Sequence, residues 1–292
     1  MTETKPASYG LDPGVLRDMF WFNASLGAYR CVKGIDYVRT VEFPVAAAVL
    51  IRQLERGGDY LDVGSGDSLL PTYIASRTPA RITALDKFQW VTAQYRYLKH
   101  LKRTGWLDTG RFRVVQEDFL ECGCLEPGSF DAVSAVSVLE HIEADGDFRA
   151  VVKVFDLLRP GGLFVVSCPY NHDRAQDFRV EGDVYGERAG AQGAFFQRHY
   201  SAATFSERII EAAPFVVESR FYASHYDGFN FAKRSYILAW PWKALKVFYN
   251  WAAPFYAPEV SQALGCPAQR PPSADAHCGH RIRRPAEARG LT

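Results

Sequence analysis

Neither sign of charge is in excess: 34 Lys and Arg stand against 33 Asp and Glu, a formal net charge of +1 over 292 residues. That balance argues against a protein that lives on phosphate contacts, because nonspecific nucleic-acid binding draws on a basic surface surplus. Cysteine is scarce too. Six in a chain of this length do not make the dense disulfide framework of short secreted chains, so reduced thiols are expected. No window of about 20 residues is free of charge and proline, as a spanning helix would require. The start, MTETKPASYG, lacks the basic residues and apolar run of a signal peptide, and the expectation is a cytoplasmic protein. What the chain has in quantity is ring surface: 6 Trp, 15 Tyr and 20 Phe, with 18 of them between Phe195 and Tyr256.

Apolar periodicity organises the middle of the chain. Arg39 to Arg56 has helical spacing (Val45, Val49, Leu50, Leu54) and stops at Gly57 and Gly58. Short apolar runs follow at Tyr60 to Val63, Arg81 to Leu85, Arg111 to Gln116, Phe130 to Val136 and Leu163 to Ser167, with helical stretches between them. Strands alternating with helices predict a parallel sheet covered on both faces. A helix over Asp145 to Leu158 is closed by the turn Arg159-Pro160-Gly161-Gly162. Beyond the long polar stretch Tyr170 to Tyr200, Ser201 caps a helix reaching Ala213, and two more runs, Phe215 to Phe221 and Tyr236 to Trp240, read as strands. Residues 241–258 predict an amphipathic aromatic helix with Lys243, Lys246 and Asn250 on its polar stripe. Residues 259–292 predict a disordered tail, since from Pro267 the chain is rich in Pro and Arg.

The chemistry should lie at strand ends. Leu61-Asp62-Val63-Gly64-Ser65-Gly66-Asp67-Ser68 joins the first strand to a helix, and its glycines let a ligand approach the backbone. Leu69 stands where a dinucleotide fingerprint needs a third glycine. Asp62 would repel a pyrophosphate but attract an ammonium or sulfonium. Asp86, which ends the second strand, is placed to take both hydroxyls of a ribose. Asp118 follows the third strand and can accept from an exocyclic amine while Phe119 covers a ring face.

Taken together, LDVGSGDS, Asp86, Glu117-Asp118, FDAVSAVSVLEHI and the LRPGG turn resemble, in order, the motifs of class I S-adenosylmethionine-dependent methyltransferases, the type 11-like group that includes many quinone, sterol and secondary-metabolite enzymes. The resemblance covers about residues 36 to 240. It departs at Ser68, where the family often has glycine, which implies a slightly different loop. It implies a Rossmann-like α/β three-layer sandwich with a seven-stranded sheet, one strand antiparallel, the last two strands being Phe215 to Phe221 and Tyr236 to Trp240. It further implies that Asp62, Gly64, Ser65 and Gly66 line the methionine end, that Asp86 and Lys87 hold the ribose, that Asp118 and Phe119 hold the adenine, and that the backbone at Ala135 and Val136 passes the sulfonium. The cofactor would be S-adenosyl-L-methionine, leaving as S-adenosyl-L-homocysteine.

A hydroxyl nucleophile would need a general base, for which His141 and His199 are the candidates. O-, N- and C-methylation remain open, as do a non-catalytic binding protein and a lipid-linked or macromolecular substrate. The aromatic excess favours an apolar or aromatic small molecule, and the helix over 241–258 offers peripheral membrane contact. Residues 1–35 form an N-terminal segment before the domain, and 170–200 an insertion on the substrate side. Arg198-His199-Tyr200 either faces the substrate or belongs to a solvated loop with Tyr200 packed under it, and Arg39 with Glu42 reads as a surface ion pair in preference to a pair closing over the cofactor's carboxylate and ammonium. Asp131 reads as a capping or turn residue. Cys122 with Cys124, and Cys278 with His277 and His280, match no common zinc spacing, so no metal is expected.

Overall fold

The computed structural model describes residues 13–36, 39–103, 109–171, 173–182, 184, 193–224 and 276–286. Strands β1 (Asp59–Val63), β2 (Arg81–Asp86), β3 (Phe112–Gln116), β4 (Phe130–Val136) and β5 (Leu158–Tyr170) pair in parallel, each where an apolar run sits in the sequence. Completed by β8 (Val216–Ser224) and β9 (Ala276–Arg283), the sheet runs β3-β2-β1-β4-β5-β9-β8. In this sheet β9 runs antiparallel to the other six strands. This is the seven-stranded Rossmann-like sheet that the resemblance implied.

Strand periodicity explains why both faces are covered. In β5, Leu163 and Val165 enter one core while Phe164 and Val166 enter the other, as alternate residues of a strand must. The first core lies under α1 (Pro13–Ser25), α3 (Arg39–Gln53), α4 (Leu70–Arg77) and α5 (Ala93–Arg103). The second lies under α6 (Gly146–Leu157), whose Ala150, Val151, Val154 and Leu157 recur at helical spacing. A short helix, α2 (Ala28–Lys33), follows α1. No helix among the described residues is long and apolar enough to cross a membrane.

Several expectations are corrected. The turn at 159–162 lies inside β5, where the pairing with β4 jumps from Phe130↔Leu158 to Ala132↔Leu163. Much of the polar stretch after β5 is ordered as a hairpin, β6 (Gln176–Val180) against β7 (Ala194–His199). The helix capped by Ser201 ends as α7 (Ala202–Phe205) and continues as a wider turn over Ser206–Ile210.

The largest correction concerns the tail. Tyr236 to Trp240 and the helix over 241–258 lie outside the described residues, and the place between β5 and β8 is held by β9. Charge hid this strand. Arg281 and Arg283 both pair with Glu218 of β8, while on the other face Ile282 is fully buried and His280 stacks on Phe205 at 4.5 Å. Arg284 then donates to the carbonyls of Leu158 at 2.7 Å and Phe155 at 3.0 Å, fastening the segment to the end of α6. Ile282→Ala is therefore expected to cost about 2 to 5 kcal/mol in urea unfolding; a change within about 0.5 kcal/mol, as for a surface site, would refute the buried strand.

Candidate active site

Strand order reverses between β1 and β4, and a cavity of about 450 Å³ opens there beyond the strands' carboxyl ends, where open α/β sheets bind ligands. Its size falls within the roughly 300 to 1,000 Å³ of small-molecule sites. Of the expected cofactor-binding and catalytic residues, all line it except Ala135 and His199.

Asp62 reaches the cleft from the end of β1 and is 3% exposed. Its carboxylate accepts from Tyr60 Oη at 3.1 Å, from Ser65 Oγ at 2.8 Å and from Ser134 Oγ. Burial pushes its pKa up to about 6; the hydroxyls of Ser134, Ser65 and Tyr60 oppose that rise and the charge of Asp86 adds to it. The chain then turns at Gly64, φ 67°, where a Cβ would stand 2.5 Å from a Val138 methyl. Only glycine fits so close to the segment leaving β4.

Gly66 N–H donates to Asp86 Oδ2 at 2.9 Å, and Phe88 N–H donates to Oδ1 at 2.8 Å. Burial raises the Asp86 pKa against these two bonds. Next to it the Lys87 ammonium lies 4.9 Å from the Phe88 ring centre, and Phe88 stacks on Trp90. On the far side stand Asp118, whose Oδ1 accepts from Leu120 N–H at 2.8 Å, and Phe119, buried against the second core. Val136 reaches the cleft, whereas Ala135 points into the core, as neighbouring residues of a strand must.

The two histidines part company. His141 lines the cleft, and its Nδ1 lies 2.7 Å from the carbonyl oxygen of Phe196 on β7. A carbonyl can only accept, so the proton sits on Nδ1 and the lone pair on Nε2. Burial holds its pKa below the usual imidazole value; the Phe196 carbonyl opposes this and the Arg39 guanidinium adds to it. His199 instead packs against Phe178 at 4.5 Å with its Nε2 2.8 Å from Gln197 Nε2, away from the cleft. Nor do its neighbours face a substrate: Arg198 pairs with Asp147 and Asp177, and Tyr200 Oη donates to Asp147 at 2.7 Å.

The reading of Arg39 and Glu42 as a surface pair is also corrected. Glu42 is 1% exposed and accepts from Arg39, from Ser137 Oγ at 2.8 Å and from Ser167 Oγ at 2.8 Å. It joins α3 to the ends of β4 and β5 under the cleft wall. The sequence signal was a serine just beyond or at each strand end, meaningful only once the strands are adjacent. Arg30 and Lys33 of α2 were likewise missed; Lys33 pairs with Asp67 of the glycine loop at 2.6 Å.

Ionising Asp62 works against the fold, because its folded pKa of about 6 lies above the ordinary carboxylate value of 3.8. Its contribution is fully favourable only below the unfolded pKa and is lost as pH rises through about 6. Asp62→Asn should remove this slope, so its stability relative to the parent should be roughly 1 to 2 kcal/mol better at pH 8 than at pH 5 in urea titrations. An offset that does not change with pH would show that Asp62 ionises normally.

Residues 61–166 match the family model described as a methyltransferase domain. A ubiquinone biosynthesis O-methyltransferase of Xanthomonas campestris pv. campestris (strain B100) is 32% identical over 145 residues, 49% of this chain and 55% of that protein. The chain thus spans about half the length of the curated relatives it matches. The solved 1,6-didemethyltoxoflavin-N1-methyltransferase of Burkholderia thailandensis, with bound 1,6-didemethyltoxoflavin and S-adenosylhomocysteine, is similar over 98% of this chain and 92% of that one, at TM-score 0.51 and 18% identity. The cyclase SpnF has the same fold at TM-score 0.50 and 17% identity, over 83% and 82% of the two chains. The match over residues 61–166, the order of the motifs and the sheet agree on a domain similar to the class I S-adenosylmethionine-dependent methyltransferases.

Proposed function

We propose that this chain transfers the methyl group of S-adenosylmethionine to a hydroxyl oxygen of an apolar or aromatic small molecule, with His141 as general base. The bond between His141 Nδ1 and the Phe196 carbonyl carries the choice of oxygen. It leaves Nε2 basic in a cleft-lining, neutral imidazole, which an amine or an activated carbon does not require. The name of the Xanthomonas relative supports the same atom. Neighbours related by fold alone do not bear on it.

The cleft residues fit the cofactor. Glycine at 64 and 66 leaves room beside the loop, and buried carboxylates wait for donors and positive charge. Asp86 accepts from the ribose hydroxyls, Asp62 attracts the ammonium end, Asp118 accepts from the adenine amine and Phe119 covers a ring face. S-adenosylmethionine supplies a methyl on a sulfonium, which a nucleophile displaces in line. The protein's share is to hold the reactants aligned, worth about 7 to 11 kcal/mol in favourable cases, and to take the hydroxyl proton at His141 Nε2. Phe195 at the rim gives the substrate an apolar wall.

Two measurements test this reading. Asp86→Ala should weaken cofactor binding about 10- to 100-fold by calorimetry, since a hydrogen bond to a charged group is worth about 1.5 to 3 kcal/mol; unchanged binding would sink the ribose assignment. With labelled cofactor and a panel of phenols, amines and carbon acids, label should enter the phenols. His141→Ala should then lower kcat about 10²- to 10⁴-fold with cofactor affinity intact. It should also abolish a limb in the pH profile on which kcat rises with pH and levels off below the ordinary imidazole pKa.

A further inference from the structure

The segment after β3, Glu117 to Cys124, does more than present Asp118 and Phe119. Cys122 Sγ and Cys124 Sγ are 3.0 Å apart. That is about 1 Å beyond a disulfide bond of roughly 2.05 Å. It is also well inside the roughly 3.8 Å that two thiolates keep on a tetrahedral zinc at about 2.3 Å each. Cys122 is buried and Cys124 is half-buried. A Glu117 carboxylate oxygen lies within 4.8 Å of both sulfurs. Lys153 Nζ donates to the carbonyls of Leu120 at 3.1 Å and Cys122 at 2.8 Å, so an ammonium already stands beside the loop and opposes a metal cation there.

The pair is coupled to the cleft by the backbone. Cys122 N–H donates to the Asp118 carbonyl at 2.8 Å and Glu121 N–H donates to the same oxygen at 3.1 Å. Drawing the two sulfurs together therefore pulls on the residue that lines the cleft.

We propose that Cys122 and Cys124 form an oxidisable pair whose closure to a disulfide shifts Asp118 and Phe119 and weakens cofactor binding. The effect on binding rests on the cleft being the S-adenosylmethionine site; the disulfide itself does not. A peroxide is the oxidant. The Cys124 thiolate attacks hydrogen peroxide, giving Cys124 sulfenic acid and hydroxide. Cys122 sulfur then displaces hydroxide from that sulfenic sulfur while its proton passes to Glu117. In sum two thiols and one peroxide become one disulfide and two waters. Burial pushes the Cys122 thiol up to about 12, which keeps it protonated while Cys124 makes the first attack. A loop this short gains little chain entropy from its crosslink, so a dithiol reductant reopens it readily.

The test treats the purified full chain with hydrogen peroxide, alkylates remaining thiols, and maps peptides by mass. The peptide holding both cysteines should lose two hydrogens and resist alkylation, independently of the other four cysteines. Cofactor affinity by calorimetry should fall about tenfold, at the lower end of the cost of a hydrogen bond to a charged group, and return with dithiothreitol. Cys124→Ser should match the reduced parent before and after peroxide. Alkylation of both sulfurs after peroxide, a disulfide without loss of affinity, or stoichiometric zinc shielding the thiols would each overturn the proposal. Should the reduced chain bind no cofactor at all, the functional reading fails, while the peptide mass still decides the disulfide.

Discussion

A carboxylate held out of water at the end of β1 is the constraint around which the cleft is built. Asp62 receives three hydroxyl hydrogen bonds, yet burial still wins, as its pKa of about 6 records. Each of those bonds is worth about 1.5 to 3 kcal/mol to a charged acceptor, so the desolvation they fail to cancel is of similar size. The cleft is therefore left with a standing preference for positive charge. A cationic ligand satisfies what Tyr60, Ser65 and Ser134 leave unanswered, and the fold carries that cost until one arrives.

Glu42 secures the opposite wall. Ser137 has φ 50°, a left-handed conformation that costs a non-glycine residue on the order of 1 to 3 kcal/mol. It is held there by its hydroxyl on Glu42, by its N–H on the Ser167 carbonyl at 3.0 Å, and by Ser167 in turn on Glu42. This fixes the backbone between Val136 and Val138 where it borders the cleft, while Val138 presses on Gly64 from the other side. Acids at 42 and 62 thus set the two sides of one gap.

The glycine-loop side of the cleft was legible because its signals are local. Glycines before a helix, an acid at each strand end and apolar runs of strand length can be recognised without knowing which strands pair. Glu42 was not legible, since it sits three residues from Arg39 on one helix and a surface pair explains that spacing equally well. Its partners, Ser137 and Ser167, lie 95 and 125 residues away. Strand β9 was hidden for a related reason: Ala-His-Cys-Gly-His-Arg-Ile-Arg offers one large aliphatic side chain, and its arginines find their partners, Glu218 across the ladder and Gln53 for Arg283, far away in sequence. Residues whose burial is bought by a distant partner look like surface residues in sequence.

The substrate half depends on the same kind of distant partner, which is why His141 and His199 could not be told apart in advance. Asp147 on α6 is fully buried and accepts from Tyr200 Oη, Arg198 and Arg208; burial would raise its pKa, but the bonds from Arg208 and Tyr200 and the charges of both arginines hold it below the ordinary value. These bonds anchor the end of β7 on α6, and β7 carries the Phe196 carbonyl that places the proton on His141 Nδ1. The same strand direction turns His199 toward Phe178 instead. The strand that meets His141 is thus the one that the Asp147 cluster anchors. The stretch that reads as a polar loop supplies, as β7 of the folded protein, the carbonyl that faces His141 Nδ1.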